Sequence, residues 1–162
     1  MWFAKWAGEA AVSKILVTLF VSMLPIFELR GAIPLGVSLG LDIWLTTITS
    51  VIGNILPVPF LILFIRRVLD WLCAKSNWLK RLIEHKIRST LKHSNSLYRS
   101  ELLGLMILVA IPLPGTGAWT GALLAALLNI RLRVAFPAIA IGVLIAGILV
   151  SGITFGFKAL IS

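Results

Sequence analysis

Acidic residues are scarce in this chain: six Asp and Glu stand against fifteen Lys and Arg, a formal charge of +9. Cysteine is scarcer. Cys73 is alone, so no disulfide can form within the chain, and no group of Cys and His has metal-ligand spacing. There is no nucleophile beside a base, no HExxH and no phosphate loop. Neither enzymatic activity nor a cofactor is expected. Long stretches lack charge altogether. Residues 43–65, 102–130 and 134–157 form uncharged runs of 23, 29 and 24 residues, each longer than the roughly 20 that a spanning helix needs. With 59% hydrophobic residues and a mean hydropathy of +1.03, against roughly 45–50% apolar in soluble domains, a soluble globular protein is excluded. A basic chain can suggest nucleic acid. Here eleven of the fifteen basic residues fall between Arg66 and Arg133, the pattern of cytoplasmic loops facing anionic lipid. Membrane lipid is therefore the expected partner, and nucleic acid is not.

What is present are apolar stretches broken in their middles. Ile15 to Phe27 is apolar or nearly so, too short to cross comfortably, and is followed by Glu28-Leu29-Arg30-Gly31-Ala32-Ile33-Pro34 before apolar sequence resumes to Leu41. Trp2, Phe3 and Trp6 ahead of it suit an interfacial anchor. Lys5 and Lys14 before a short apolar run resemble a signal peptide, but Glu28 and Arg30 stand where a small-residue cleavage site belongs, so no cleavage is expected. The run 102–130 is broken at Pro112-Leu113-Pro114-Gly115-Thr116-Gly117. Backbone freed by such breaks survives in lipid only where it is buried in protein or lines a wet cavity.

These features predict an all-α integral membrane protein forming one domain over 1–162. Repeat one (1–73) holds a re-entrant helical hairpin, 15–41, turning at Glu28–Pro34, then a transmembrane helix, 43–65. Gly53, Asn54 and Pro57 should bend or unwind that span. A basic amphipathic cytoplasmic helix follows at 74–100, with His85 and His93 as surface residues. Repeat two (101–162) holds a hairpin, 102–130, and a span, 134–157. Pro25 and Pro112, 87 residues apart, align the two halves, as do Asp42 and Asn129. A hairpin returns to its own side while a span crosses once, so the halves are inserted in opposite senses. Such inverted repeats with broken helices mark secondary transporters. The basic excess puts Arg66–Arg99, Arg131 and Arg133 in the cytoplasm and Asp42 and Lys158 outside.

Charge at a hairpin tip is costly and marks a substrate path or a proton relay. Arg30 offers a fixed charge and a fork suited to phosphate or carboxylate, and a desolvated Glu28 suits proton exchange. Gly115 and Gly117 can expose backbone amides, Thr116 and Thr120 add hydroxyls, and a helix opening near Ala118 points its positive end at the same place. Arg131 is a further candidate for an anionic head group, or else with Arg133 a topology determinant. Asp42 is a candidate for the proton route, or else, like Asn129, a helix cap. Asn54 should hydrogen-bond across helices. Pro25, Gly31, Pro34, Gly53, Asn54, Pro57, Pro112, Pro114 and Gly121 are the expected structural breaks.

The segments FELRGAIPLGVSLGL, GNILPVPFLILF and AIPLPGTGAWTGALLAALL together resemble the small multi-drug export protein family of prokaryotic membrane proteins. The layout is distantly similar to the DedA/VTT-type superfamily, which implies lipid movement, including polyprenyl-phosphate carriers, and drug tolerance linked to the proton gradient. The expected function is proton-coupled transport of an amphipathic anion such as a polyprenyl-phosphate lipid across the prokaryotic cytoplasmic membrane. The alternatives are proton-coupled efflux of small cationic drugs and a non-transporting membrane-assembly protein. A bundle this small is expected to be a homo-oligomer, in the simplest case a dimer.

Overall fold

Each half of the chain folds as a pair of packed helices followed by a long apolar stretch, which is two successive helices in the first half and one helix in the second. The computed structural model describes residues 2–75, 95–113 and 116–161, which hold helices and turns. The helices are α1 (Trp2–Met23), α2 (Glu28–Ser38), α3 (Ile43–Ile55) and α4 (Val58–Lys75), then α5 (Asn95–Ala110), α6 (Ala118–Leu127) and α7 (Leu132–Ile161). Most of the expected amphipathic linker, 76–94, lies outside the described residues, as do Pro114 and Gly115.

Local chemistry sets the boundaries. Asp42 caps α3, its carboxylate accepting from Trp44 N at 2.9 Å and Leu45 N at 3.4 Å. Pro57 has no N–H to continue the ladder, so α3 stops at Ile55 and α4 restarts at Val58. Ile43–Trp71 still counts as one stretch long and apolar enough to cross a bilayer, and Leu132–Phe157 is the second such stretch among the described residues. Both long helices exceed their expected limits, because Arg66–Lys75 and Leu132–Arg133 continue the helices instead of ending them.

The first turn also differs from expectation. It falls at Leu24–Phe27, ahead of the charges, and Glu28 opens α2. Gly31 and Pro34 lie inside α2, where Pro34 forfeits one backbone bond in an 11-residue helix. Gly53 and Asn54 lie inside α3, and Gly121 inside α6. These glycines serve close packing instead of chain breaks. A Cβ on Gly53 would sit 2.7 Å from the Leu19 carbonyl oxygen of α1, and one on Gly142 2.8 Å from the Met106 carbonyl oxygen of α5.

The two halves share their packing. α1 lies on α2 and α3, and α2 on α3, just as α5 lies on α6 and α7, and α6 on α7. The halves join where α3 runs along α7, α4 meets α6 and α2 meets α7. A Thr47 to Ser151 hydroxyl contact of 2.5 Å ties the central α3–α7 pair. The paired ends match in detail. After α2, Gly40 is left-handed (φ 83°) and Leu41 N donates to Gly36 O at 3.0 Å. After α6, Asn129 is left-handed (φ 54°) and Ile130 N donates to Ala125 O at 2.9 Å. Both are helix stops that need a residue tolerant of positive φ. Matching residues are therefore 89 apart, not 87, and Asp42 corresponds to Arg131 instead of Asn129. The same shift pairs Gly53 with Gly142 and Pro25 with Pro114.

The core runs through the joint, built from Leu29, Ile33, Val58, Ile62, Val109, Ile139 and Val143 with Ala118, Ala122 and Ala125. Small residues bring α6 close to its neighbours, as in membrane bundles. Phe60, Phe64, Trp71, Ile148 and Phe155 face outward, a periphery suited to lipid.

Candidate substrate site where the two helix breaks meet

Glu28 is the first residue of α2 and carries a left-handed backbone (φ 47°). Outside glycine this conformation costs about 1–2 kcal/mol and persists where surrounding contacts fix it, commonly at functional sites. The contacts here come from the other half. The Glu28 side chain is buried, with 6% of the residue exposed, and its Oε1 accepts from Trp119 N at 3.3 Å. Trp119 is the second residue of α6, so the carboxylate sits at that helix's positive end. Gly117, which precedes α6, makes this approach possible. A Cβ there would overlap the Glu28 carboxylate. Glu28 and Gly117 are also 89 residues apart, so the acid of one half meets the glycine that occupies its own position in the other.

The crossing is reciprocal. Arg30, two residues into α2, donates through Nη2 to Ile111 O at 3.2 Å and to Thr116 Oγ1 at 3.1 Å, just beyond the end of α5. Trp119 donates through Nε1 to Met23 O at 3.0 Å, at the end of α1. Glu28 and Arg30 thus bond across the joint instead of pairing with each other. Thr116 Oγ1 in turn shares its one proton between the carbonyls of Ile111 at 2.9 Å and Leu113 at 3.0 Å. Arg30 Nε is buried and has no partner.

Between the breaks lies an open cleft of about 640 Å³. Pro25, Glu28, Arg30 and Gly31 line it from the first half, and Pro112, Thr116 and Thr120 from the second. The expected charged tip, Thr116, Gly117 and Thr120 therefore come together. Arg131 does not. It opens the α7 end, exposed, beyond the full length of α6 from the cleft. Asp42 is likewise at the far end of α2, where its carboxylate caps α3. Asn54 is buried, and its Oδ1 has no partner. Arg66 reaches the Ile130 carbonyl, which puts the middle of α4 beside the residues that follow α6. Trp119, Met23 and Ile111 escape a reading based on side-chain charge. The available signal is a lone tryptophan in a block of small residues.

Residues 28–149, most of the chain, match the family described as small multi-drug export protein. The chain belongs to that family. It is a membrane protein of an export family, and the matched region begins at the acid of the cleft. No curated protein and no solved structure matches the chain. Within this export-family fold the cap and the cleft are separable. Asp42→Ala is expected to lower stability by about 1 kcal/mol, the usual cost of an N-cap, and to leave the transport rate within twofold of the parent in liposomes. A larger loss of rate at unchanged stability would return Asp42 to the transport path.

Proposed function

We propose that this protein is a proton-coupled transporter that moves an amphipathic anion, such as a polyprenyl-phosphate lipid, across the cytoplasmic membrane of a prokaryote. The two halves act as inverted repeats with their breaks near mid-membrane. The observation that carries this is the Glu28 carboxylate held at the positive end of α6 beside Arg30. That position is where a substrate anion would bind, and the protein already holds an anion there. Protonating Glu28 removes the charge and weakens its hold on Trp119 N. The helix end and the Arg30 guanidinium then become available to a head group. Deprotonation reverses the exchange. Proton and anion are thereby bound together, while the lipid tail stays in the bilayer through the open side of the cleft.

Reciprocal bonding across the joint supports the inverted repeat, because Arg30 and Trp119 each reach the end of the other half's first arm. The family description favours a second reading, efflux of cationic drugs with Glu28 as counter-charge. Arg30 and the helix end stand against it, since both repel a cation. The deciding experiment places the purified protein in liposomes with a fluorescent lipid phosphate or a cationic dye, with and without a pH gradient. Gradient-dependent movement of the lipid phosphate alone is expected. Movement of the dye alone would establish the drug reading, and movement of neither would leave an assembly role.

A further inference from the structure

The halves match in backbone but not in polarity along one buried seam. In α1, Thr18 and Ser22 are fully buried. In α3, Thr46 and Ser50 are fully buried and Asn54 is 1% exposed. Each set recurs every four residues, so each lies on one helix face. The two faces meet: a Cβ on Gly36 would lie close to both Thr18 and Thr46, and one on Gly53 would run into Ser22 Oγ. The residues 89 positions on are Ile107, Ile111, Ala135, Ile139 and Val143. All five are apolar, so the fold does not need hydroxyls or an amide at these positions.

Two members of the seam are left over. Thr18 donates to Lys14 O at 2.9 Å, Ser22 to Leu19 O at 2.7 Å and Thr46 to Asp42 O at 2.7 Å, each within its own segment. Ser50 Oγ and Asn54 Oδ1 are buried and have no partner. A buried unsatisfied polar atom costs about 1–3 kcal/mol, so two of them on one face call for a ligand that bonds to hydroxyl and carbonyl oxygens. The seam also has direction. Its outer end is at Gly36, Asp42 and Lys14, whose Nζ lies 3.9 Å from a Cβ built on Gly40. Its inner end, Ser22, precedes Met23, which accepts the Trp119 indole, while Trp119 N donates to Glu28.

We propose that Ser50 and Asn54 bind water in this seam, and that the resulting file of waters and hydroxyls delivers the coupling proton to Glu28 from the end where Asp42 lies. The proposal rests on the proton-coupled function above and adds the route. Each water or hydroxyl passes one proton on and takes up another, so the seam is unchanged and the proton ends on the Glu28 carboxylate. The charged groups around that carboxylate are few. Arg30 shares its helix, and α3 and α6 carry no charged side chain. Lys14 and Asp42 stand at the outer mouth, and Arg133 of α7 is exposed beyond the length of α6. The second half, apolar at the same positions, offers no matching route from the other side.

The test compares the parent with Ser50→Ala/Asn54→Val, which gives these positions the apolar character of their counterparts Ile139 and Val143. Both proteins are placed in liposomes carrying an internal pH dye and given a lipid phosphate. The parent is measured first. Proton movement with the lipid, slowed at least tenfold in the double variant at unchanged lipid affinity, is expected. A double variant that moves protons as fast as the parent overturns the route and leaves the function standing. A parent that moves the lipid without protons overturns both. If the double variant does not fold, Ser50→Cys in a Cys73→Ser background decides. Reaction with a small thiol reagent from the Asp42 side alone supports the route, and no reaction from either side overturns it.

Discussion

Gly117→Ala is expected to reduce transport at least tenfold in a protein that still inserts and folds. The added methyl overlaps the Glu28 carboxylate and nothing else at shorter range. That carboxylate is the end of a flexible side chain, so the cheapest adjustment is for Glu28 to swing away from Trp119 N. The helix pair stays packed because the core contacts of α6 run through Ala118, Ala122 and Ala125, and the atoms nearest to the added methyl all belong to the Glu28 carboxylate. What is lost is the bond between an acid and a helix end, which the proposed proton exchange makes and breaks in each cycle. Gly53→Ala is the contrast. There the nearest fixed atom is the Leu19 carbonyl oxygen, backbone that cannot move aside, so α1 and α3 must separate and stability falls. Thermal unfolding in detergent together with flux in liposomes separates the two outcomes. Equal loss of stability in both variants would mean that Gly117 is only a packing residue.

Much of this arrangement is legible in the chain. The uncharged runs show two helices able to cross, and Pro112 with the glycines that follow it marks a break between α5, which ends at Ala110, and α6, which opens at Ala118. The charged tip and the Thr116–Thr120 block are brought to one cleft. The errors have a common cause. Charge and proline at Glu28–Pro34 suggest a turn, yet Pro34 sits inside α2 and the chain turns at the largely apolar Leu24–Phe27. A proline in a packed helix costs one bond, which neighbouring helices can offset. Two prolines suggest the register, whereas the structural repeat is set by helix stops at Gly40 and Asn129, and these differ in residue type. The partners of Glu28 and Arg30 are mostly backbone groups, Trp119 N and Ile111 O, and every residue has those. No pattern of side chains announces them. The polar seam is visible as hydroxyls at fourfold spacing, but its meaning depends on comparison with Ile107, Ala135 and Ile139, which requires the correct shift.

Glu28→Gln and Arg30→Lys should separate binding from coupling. Glutamine is nearly isosteric and keeps an oxygen for Trp119 N, but it carries no charge and exchanges no proton. Lipid-phosphate affinity should rise severalfold, because the built-in anion no longer competes for the α6 end, and it should lose its pH dependence. Gradient-driven transport should fall at least tenfold. Arg30→Lys keeps the positive charge but not the guanidinium that bonds Ile111 O and Thr116 Oγ1 together. One charged hydrogen bond is worth about 2 kcal/mol, roughly thirtyfold in rate, so anion transport should drop by about that factor while the remaining flux still responds to pH. Direct binding assays and gradient-driven flux on the same preparations distinguish the alternatives. A cation exporter would lose ligand binding in Glu28→Gln, because its counter-charge is gone. An assembly protein would show reduced stability in both variants and no ligand dependence in either. If both variants bind and transport as the parent does, Glu28 and Arg30 only hold the two breaks together, and the proposed exchange at the α6 end is wrong.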